Sequence, residues 1–164
     1  MTYQSVEAFL DYYKRIRKRT LRVIQCIPPD RMEHAPIKDG MTFGDIIRHI
    51  ANTERYSWAE TVQGSKPAYE GYGKEFSEKF SSVIEYMEAL HQESLKIFSK
   101  LSPEAFNGKC LTPAGHPITV WKWLRAMVEH EIHHRGIIYA KLRMMNIKTP
   151  PIFGLTAEEL ATRK

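Results

Sequence analysis

Apolar residues recur at Val6, Phe9, Leu10, Tyr13, Ile16, Val23 and Ile24, the three-and-four spacing of a helix that buries one stripe, so Ser5 to about Gln25 reads as a first helix. Pro28-Pro29 ends it, because proline cannot donate to the helical ladder and restricts the residue before it. A connector through Pro36 and Gly40 leads to Thr42-Phe43-Gly44-Asp45, where the threonine can cap a new helix and the aspartate favours its positive end. The second helix then spans about Phe43 to Val62. Its core stripe is Phe43, Ile46, Ile47, Ile50, Glu54 and Trp58, with His49 displaced to one flank beside Ile46, Thr53 and Tyr56. No apolar period runs through Gln63 to Glu75, which is rich in glycine, tyrosine and charge. It reads as a long loop, either a crossover between bundle ends or a lid over a pocket.

Ser77 is the expected cap of a third helix carrying Phe80, Val83, Ile84, Met87, Leu90, His91, Leu95 and Phe98. His91 has no histidine partner at i+3 or i+4 and reads as a satisfied or half-exposed side chain. Ser102-Pro103-Glu104 starts a short helical turn. Thr119 is the expected cap of the fourth long helix, on which Val120, Trp123, Leu124, Met127, His130, His134, Ile138, Leu142 and Met145 share one broad face. An extended segment follows through Pro150-Pro151, then a short terminal helix. Four long amphipathic helices with no strand pattern predict an all-α four-helix bundle with a long crossover between helices 2 and 3, as a single domain over residues 1–164. A weak internal echo supports two paired-helix units: a Pro-Asp or Pro-Glu turn (Pro29-Asp30, Pro103-Glu104), a connector, a threonine cap and a histidine-bearing helix.

Composition narrows the class. A chain of 164 residues can bury a core unaided, and 43% hydrophobic with 26% charged residues and a mean hydropathy of -0.42 suits a soluble protein with no bilayer-spanning run. The stretch Met1 to Glu7 lacks a basic start and an apolar core, so a cytoplasmic location is expected. Cys26 and Cys110 are far apart and form no CxxC pair, which points to reduced thiols. The formal charge of +5 permits an acidic partner, with Lys14, Arg15, Arg17, Lys18, Arg19 and Arg22 on the first helix as the place to look. Read blandly, these six form a solvated face; read sharply, they form a nucleic-acid footprint.

Candidate chemistry concentrates in Glu129-His130-Glu131-Ile132-His133-His134-Arg135-Gly136. His130 and His134 lie one turn apart on the core-facing side, so their imidazoles can converge on one ion, while His133 points about 100° away, toward solvent or an acidic neighbour. Two histidines under-hold a metal, and His49 on the flank of the second helix is the natural third ligand. Three histidines suit zinc, nickel or another borderline divalent ion and leave a position for water or substrate. The run also matches the HExxH pattern, with Glu131 as general base, but no histidine follows His134 to complete such a site. Gly136 inside a helix suggests close approach of another backbone or of a substrate. Glu54, Tyr56 and Glu131 are the candidates for acid–base help, against the plainer reading that a glutamate at the core edge pairs with arginine.

Thr42-Phe43-Gly44-Asp45 followed by His49, then His130 and His134 leading into Arg135-Gly136, then Arg143 and Pro150-Pro151, resembles the DinB/YfiT-like superfamily. The resemblance spans nearly the whole chain, through short motifs. It implies an up-down-down-up bundle, a divalent-metal site on His49, His130 and His134, and a homodimer. It further implies either S-transfer from a low-molecular-weight thiol of the bacillithiol or mycothiol kind or metal-dependent hydrolysis, on a small-molecule substrate. Ile137 departs from the glutamine that many relatives carry after Arg-Gly. The competing readings are a non-catalytic metal-binding stress-response protein and a nucleic-acid-binding module using the basic face of helix 1; membrane contact is not expected.

Overall fold

In the computed structural model, residues 5–35, 37–38 and 40–162 are described. Pro36 of the expected connector, Met1 to Gln4 and the last two residues of the expected domain lie outside them. Ser5 starts the first helix, α1 (Val6–Ile24), its Oγ accepting the Ala8 amide at 3.2 Å. At the second helix Thr42 and Asp45 form a reciprocal box: the Asp45 amide donates to Thr42 Oγ1 (3.0 Å) and the Thr42 amide to Asp45 Oδ2 (2.9 Å). This satisfies two amides that a helix start leaves without partners. The helix runs as α from Phe43–Thr53, as a π turn over Glu54–Trp58 and again as α over Ala59–Val62; the whole is α2.

Helix α3 is Phe80–Phe98, and its start corrects an expectation. Lys79 is the cap residue and no side chain caps the helix; Ser77 instead bonds to Ser82 Oγ at 2.9 Å and gives its carbonyl to Arg48. A short helix α4 (Pro103–Asn107) is capped by Ser102. Next come two strands where none was expected, β1 (Lys109–Leu111) and β2 (Pro117–Thr119), antiparallel with Cys110 opposite Ile118. Three residues each are too few to show an alternating pattern. Helix α5 (Val120–Met144) follows directly; Thr119 is its cap residue as expected, but its side chain makes no capping bond, and the residue is also the end of β2, paired with Lys109. A terminal helix α6 covers Ala157–Ala161.

The directions of the four long helices follow from two apolar clusters. One joins Val6 and Phe9 of α1, Ala59 and Val62 of α2, Leu95 and Phe98 of α3, and Val120 and Leu124 of α5. The other joins Val23 and Ile24, Phe43 and Ile46, Val83 and Met87, and Ile138 and Leu142. The start of α1, the ends of α2 and α3 and the start of α5 therefore meet at one end, an up-down-down-up four-helix bundle. Parallel α2 and α3 need a connection the length of the bundle, which residues 63–79 supply without regular structure.

Arg17 departs from the solvated face expected of helix 1. It is 3% exposed, while Lys14, Arg15, Lys18 and Arg22 are exposed as expected. Gly136 is also corrected: a Cβ there would meet no atom within 4 Å, so no backbone approach explains it.

Candidate metal centre

Antiparallel packing of α2 against α5 brings His49 to face the His130–His134 pair. The Nε2 atoms of His49 and His130 are 3.0 Å apart, and one ligand atom from each of the three rings lies within 4.8 Å of the others, a set that could hold a metal ion. Ring centroids are 5.0 Å (His49–His130), 4.8 Å (His49–His134) and 4.4 Å (His130–His134) apart. All three side chains are half-buried. Burial, then the neighbouring histidines, pushes His130 down to about 3 and His134 down to about 4, and burial lowers His49. The rings are therefore neutral at pH 7, the form whose lone pair ligates. His134 Nδ1 is buried and has no hydrogen-bond partner, so this ring's polar atoms are incompletely satisfied by protein alone. Neutral, convergent imidazoles with an orphaned nitrogen fit a cation of borderline softness.

The surroundings are aromatic. Tyr69 Oη lies 2.8 Å from His49 Nδ1, which leaves Nε2 directed at the other histidines. The Tyr72 ring stands 5.7 Å from His49, edge-on. Trp58 packs at 5.0 Å on His130 and at 5.3 Å on Trp123, whose Nε1 donates to Thr61 Oγ1. The π turn contributes to this: its closing bond runs from the Ala59 amide to the Glu54 carbonyl, so the turn holds more residues than an α turn and rotates Trp58 from its α position.

Tyr69 and Tyr72 come from the long loop, and α2 holds that loop down. Arg48, fully buried, donates through Nε to the Tyr72 carbonyl (2.7 Å) and through Nη1 to the Ser77 carbonyl (2.7 Å), while Glu33 and Asp45 balance its charge. Asn52 Nδ2 donates to the Gly71 carbonyl and the Ala68 amide to the Tyr56 carbonyl, each at 2.7 Å. The tyrosines were visible in the sequence as a local enrichment, but their partner was not.

The acid–base candidates sit elsewhere. Glu131 is 1% exposed and its Oε2 accepts from Arg17 Nε (3.3 Å) and Nη2 (2.9 Å). Glu54, also 1% exposed, takes Arg17 Nη2 on Oε2 (2.5 Å) and His91 Nδ1 on Oε1 (2.8 Å). The plainer reading of both carboxylates, ion pairing with arginine, is what their contacts display. Burial alone would raise the Glu54 carboxyl, but Arg17 and then His91 outweigh it and hold it at about 2. Tyr56 lies against the apolar cluster of Val23, Phe43 and Ile138, with Arg55 over its ring at 5.3 Å. His91 is buried and satisfied by Glu54, and His133 is exposed, its ring 5.1 Å from His134.

A model of the DinB superfamily matches residues 12–138. Among curated proteins none matches the chain significantly. Solved structures with the same fold include a DinB-like protein from Bacillus cereus (TM-score 0.76, 16% identity, 92% of this chain and 99% of that one). Another is the DinB-like YjoA from Bacillus subtilis (0.70, 18%, 88% and 96%). A third is YfiT from Bacillus subtilis, described as a probable metal-dependent hydrolase with an unusual four-helix bundle topology (0.68, 17%, 90% and 91%). At these identities the likeness establishes the fold.

Proposed function

Because the chain belongs to the DinB superfamily, we propose that it is a divalent-metal-dependent enzyme acting on a small molecule, with His49, His130 and His134 as the ligands. The observation that carries this reading is the convergence of three neutral, half-buried imidazoles on one point between α2 and α5. Three protein donors leave at least one coordination position for water or substrate, and imidazole donors favour zinc or nickel. When bound, such an ion lowers the pKa of a coordinated water or deprotonates a coordinated thiol. Tyr69 orients His49 through Nδ1, and the Trp58 and Tyr72 rings flank the imidazoles. Neither Glu54 nor Glu131 is assigned a base, since Arg17 holds both.

Hydrolysis is the first reaction to test, because the structurally similar YfiT carries that description; S-transfer from a bacillithiol-like thiol is the second. The reading extends to a homodimer in the cytoplasm, the former checked by sedimentation equilibrium. No described helix is long and apolar enough to cross a membrane. Burial of Arg17 removes one member of the basic face on which a nucleic-acid reading rests.

Elemental analysis of untagged protein comes first, with stoichiometric zinc or nickel as the expected result. Absence of metal, with none bound on titration, would sink the proposal. Loaded protein is then assayed on esters and amides, and on electrophiles with bacillithiol, mycothiol or glutathione. Turnover in one class assigns the reaction, and metal without turnover in any leaves a non-catalytic metal-binding protein.

A further inference from the structure

Arg135 and Gly136 follow the metal-centre histidines directly, but about 100° and 200° further round the helix, so they face the opposite flank of α5. There they line a cavity of about 400 Å³ together with Tyr139 and, from the tail, Ile152, Phe153 and Leu155. The size is within the range of small-molecule pockets, about 300–1,000 Å³. Its walls are mostly apolar, none of its described lining residues is acidic, and Phe153 is 81% exposed.

The polar group of this cavity is out of balance. Arg135 is 5% exposed, yet its Nη1 is buried and has no hydrogen-bond partner. The nearest acid along the helix, Glu131, has its Oε2 occupied by two nitrogens of Arg17; its charge is felt at Arg135, but its Oε1 makes no hydrogen bond to it. No carboxylate among the described residues forms an ion pair with Arg135, whereas Arg17, Arg48 and Arg55 each have two. Arg19, whose guanidinium lies over the Phe153 ring at 5.3 Å, adds positive charge beside it. A buried guanidinium with no hydrogen-bonded anion is costly, and a planar fork of donors is suited to a carboxylate. Gly136 leaves the floor open, since a side chain there would meet no atom within 4 Å.

We propose that this groove is a second ligand site, separate from the metal centre, that binds a small organic anion with an apolar tail. The carboxylate pairs with Arg135, and the tail lies over Gly136 against Tyr139, Ile152 and Phe153. Glycine at 136 then has its reason: any larger side chain occupies the tail's place.

The test is calorimetric titration of the full chain with octanoate, against acetate (charge without tail) and 1-octanol (tail without charge), with amide shifts followed by NMR. Octanoate is expected to bind at least tenfold more tightly than either control, roughly the worth of a charge-assisted hydrogen bond, and to shift the Gly136 and Thr156 amides. Arg135→Met and Gly136→Leu should each weaken it by about tenfold or more. The second variant retains the arginine and fills open space, so it folds even if the first does not. His134→Ala should leave octanoate binding unchanged. The proposal is overturned if octanoate binds no better than acetate, if it binds undiminished to both groove variants, or if His134→Ala abolishes it, which would place the anion on the metal centre. Self-association that Phe153→Ser disrupts, with no octanoate binding, would overturn it in favour of a second copy of the chain.

Discussion

Two polar clusters lie inside this bundle, and sequence neighbours belong one to each. Glu131 joins Arg17, Glu54 and His91 in a buried ion-paired network; His130 joins His49 and His134 in a set of neutral donors. In the first, opposite charges are paired and the Glu54 carboxyl is held at about 2. In the second, burial and then the crowding of like groups bring His130 and His134 down to about 3 and 4. The difference teaches how to tell architecture from chemistry among buried polar residues. A network in which an arginine is ion-paired to carboxylates from two other helices ties those helices together; a cluster of neutral donors that meets no opposite charge in the chain is suited to a cation the chain does not supply.

The comparison is broken most directly by removing one member of each cluster. Arg17→Met strands two buried carboxylates and should cost about 3–5 kcal/mol of stability, measured by urea unfolding, with metal binding per folded molecule retained. His134→Ala should do the reverse, abolishing stoichiometric metal binding in a zinc or nickel titration while the metal-free protein unfolds at nearly the wild-type urea concentration. If Arg17→Met proved neutral, or His134→Ala kept its metal, the division would be wrong.

Acid sharpens the contrast. A carboxyl depressed in the folded state stabilises the protein above its unfolded pKa, and that stability is lost as pH falls through the folded value. The Glu54 contribution should therefore be complete above about pH 4.5 and disappear toward about pH 2. Glu54→Gln should flatten the stability profile across that window, and an unchanged profile would refute the pairing. The smallest effect is expected at the edge of the histidine cluster: Tyr69→Phe removes the partner of His49 Nδ1 and should weaken metal binding by about tenfold. Unfolding should be unaffected, and equal metal affinity in the variant would show that the hydroxyl does not orient the ring.

The helices were legible because their apolar period is a local property, and so was the Thr42–Asp45 box, whose two partners are three residues apart. Ser77 failed as a cap for a tertiary reason, being drawn into the loop that Arg48 anchors, whereas Thr119 holds the cap position without a side-chain bond. The strands escaped because a three-residue ladder is recognised by its partner, not its pattern. The His130–His134 pair could be read from spacing alone, and His49 as a flank position, whereas Tyr69 and Trp58 could not be read at all as their neighbours. Their contacts depend on the path of a loop and on the phase of a π turn.

By itself, then, the sequence determined where the chain is helical, which residues point inward and which imidazoles share a turn, since all of these follow from a fixed rotation per residue. It also carried the DinB/YfiT-like motifs. Tertiary structure alone decided that Arg17 is buried, that Glu131 is paired with it, that His130 is proton-poor and that Arg135 Nη1 is left without a hydrogen-bond partner. A helical wheel gives a side chain its direction; its charge state and its partners are set by what stands opposite, and that is known only once the helices have packed.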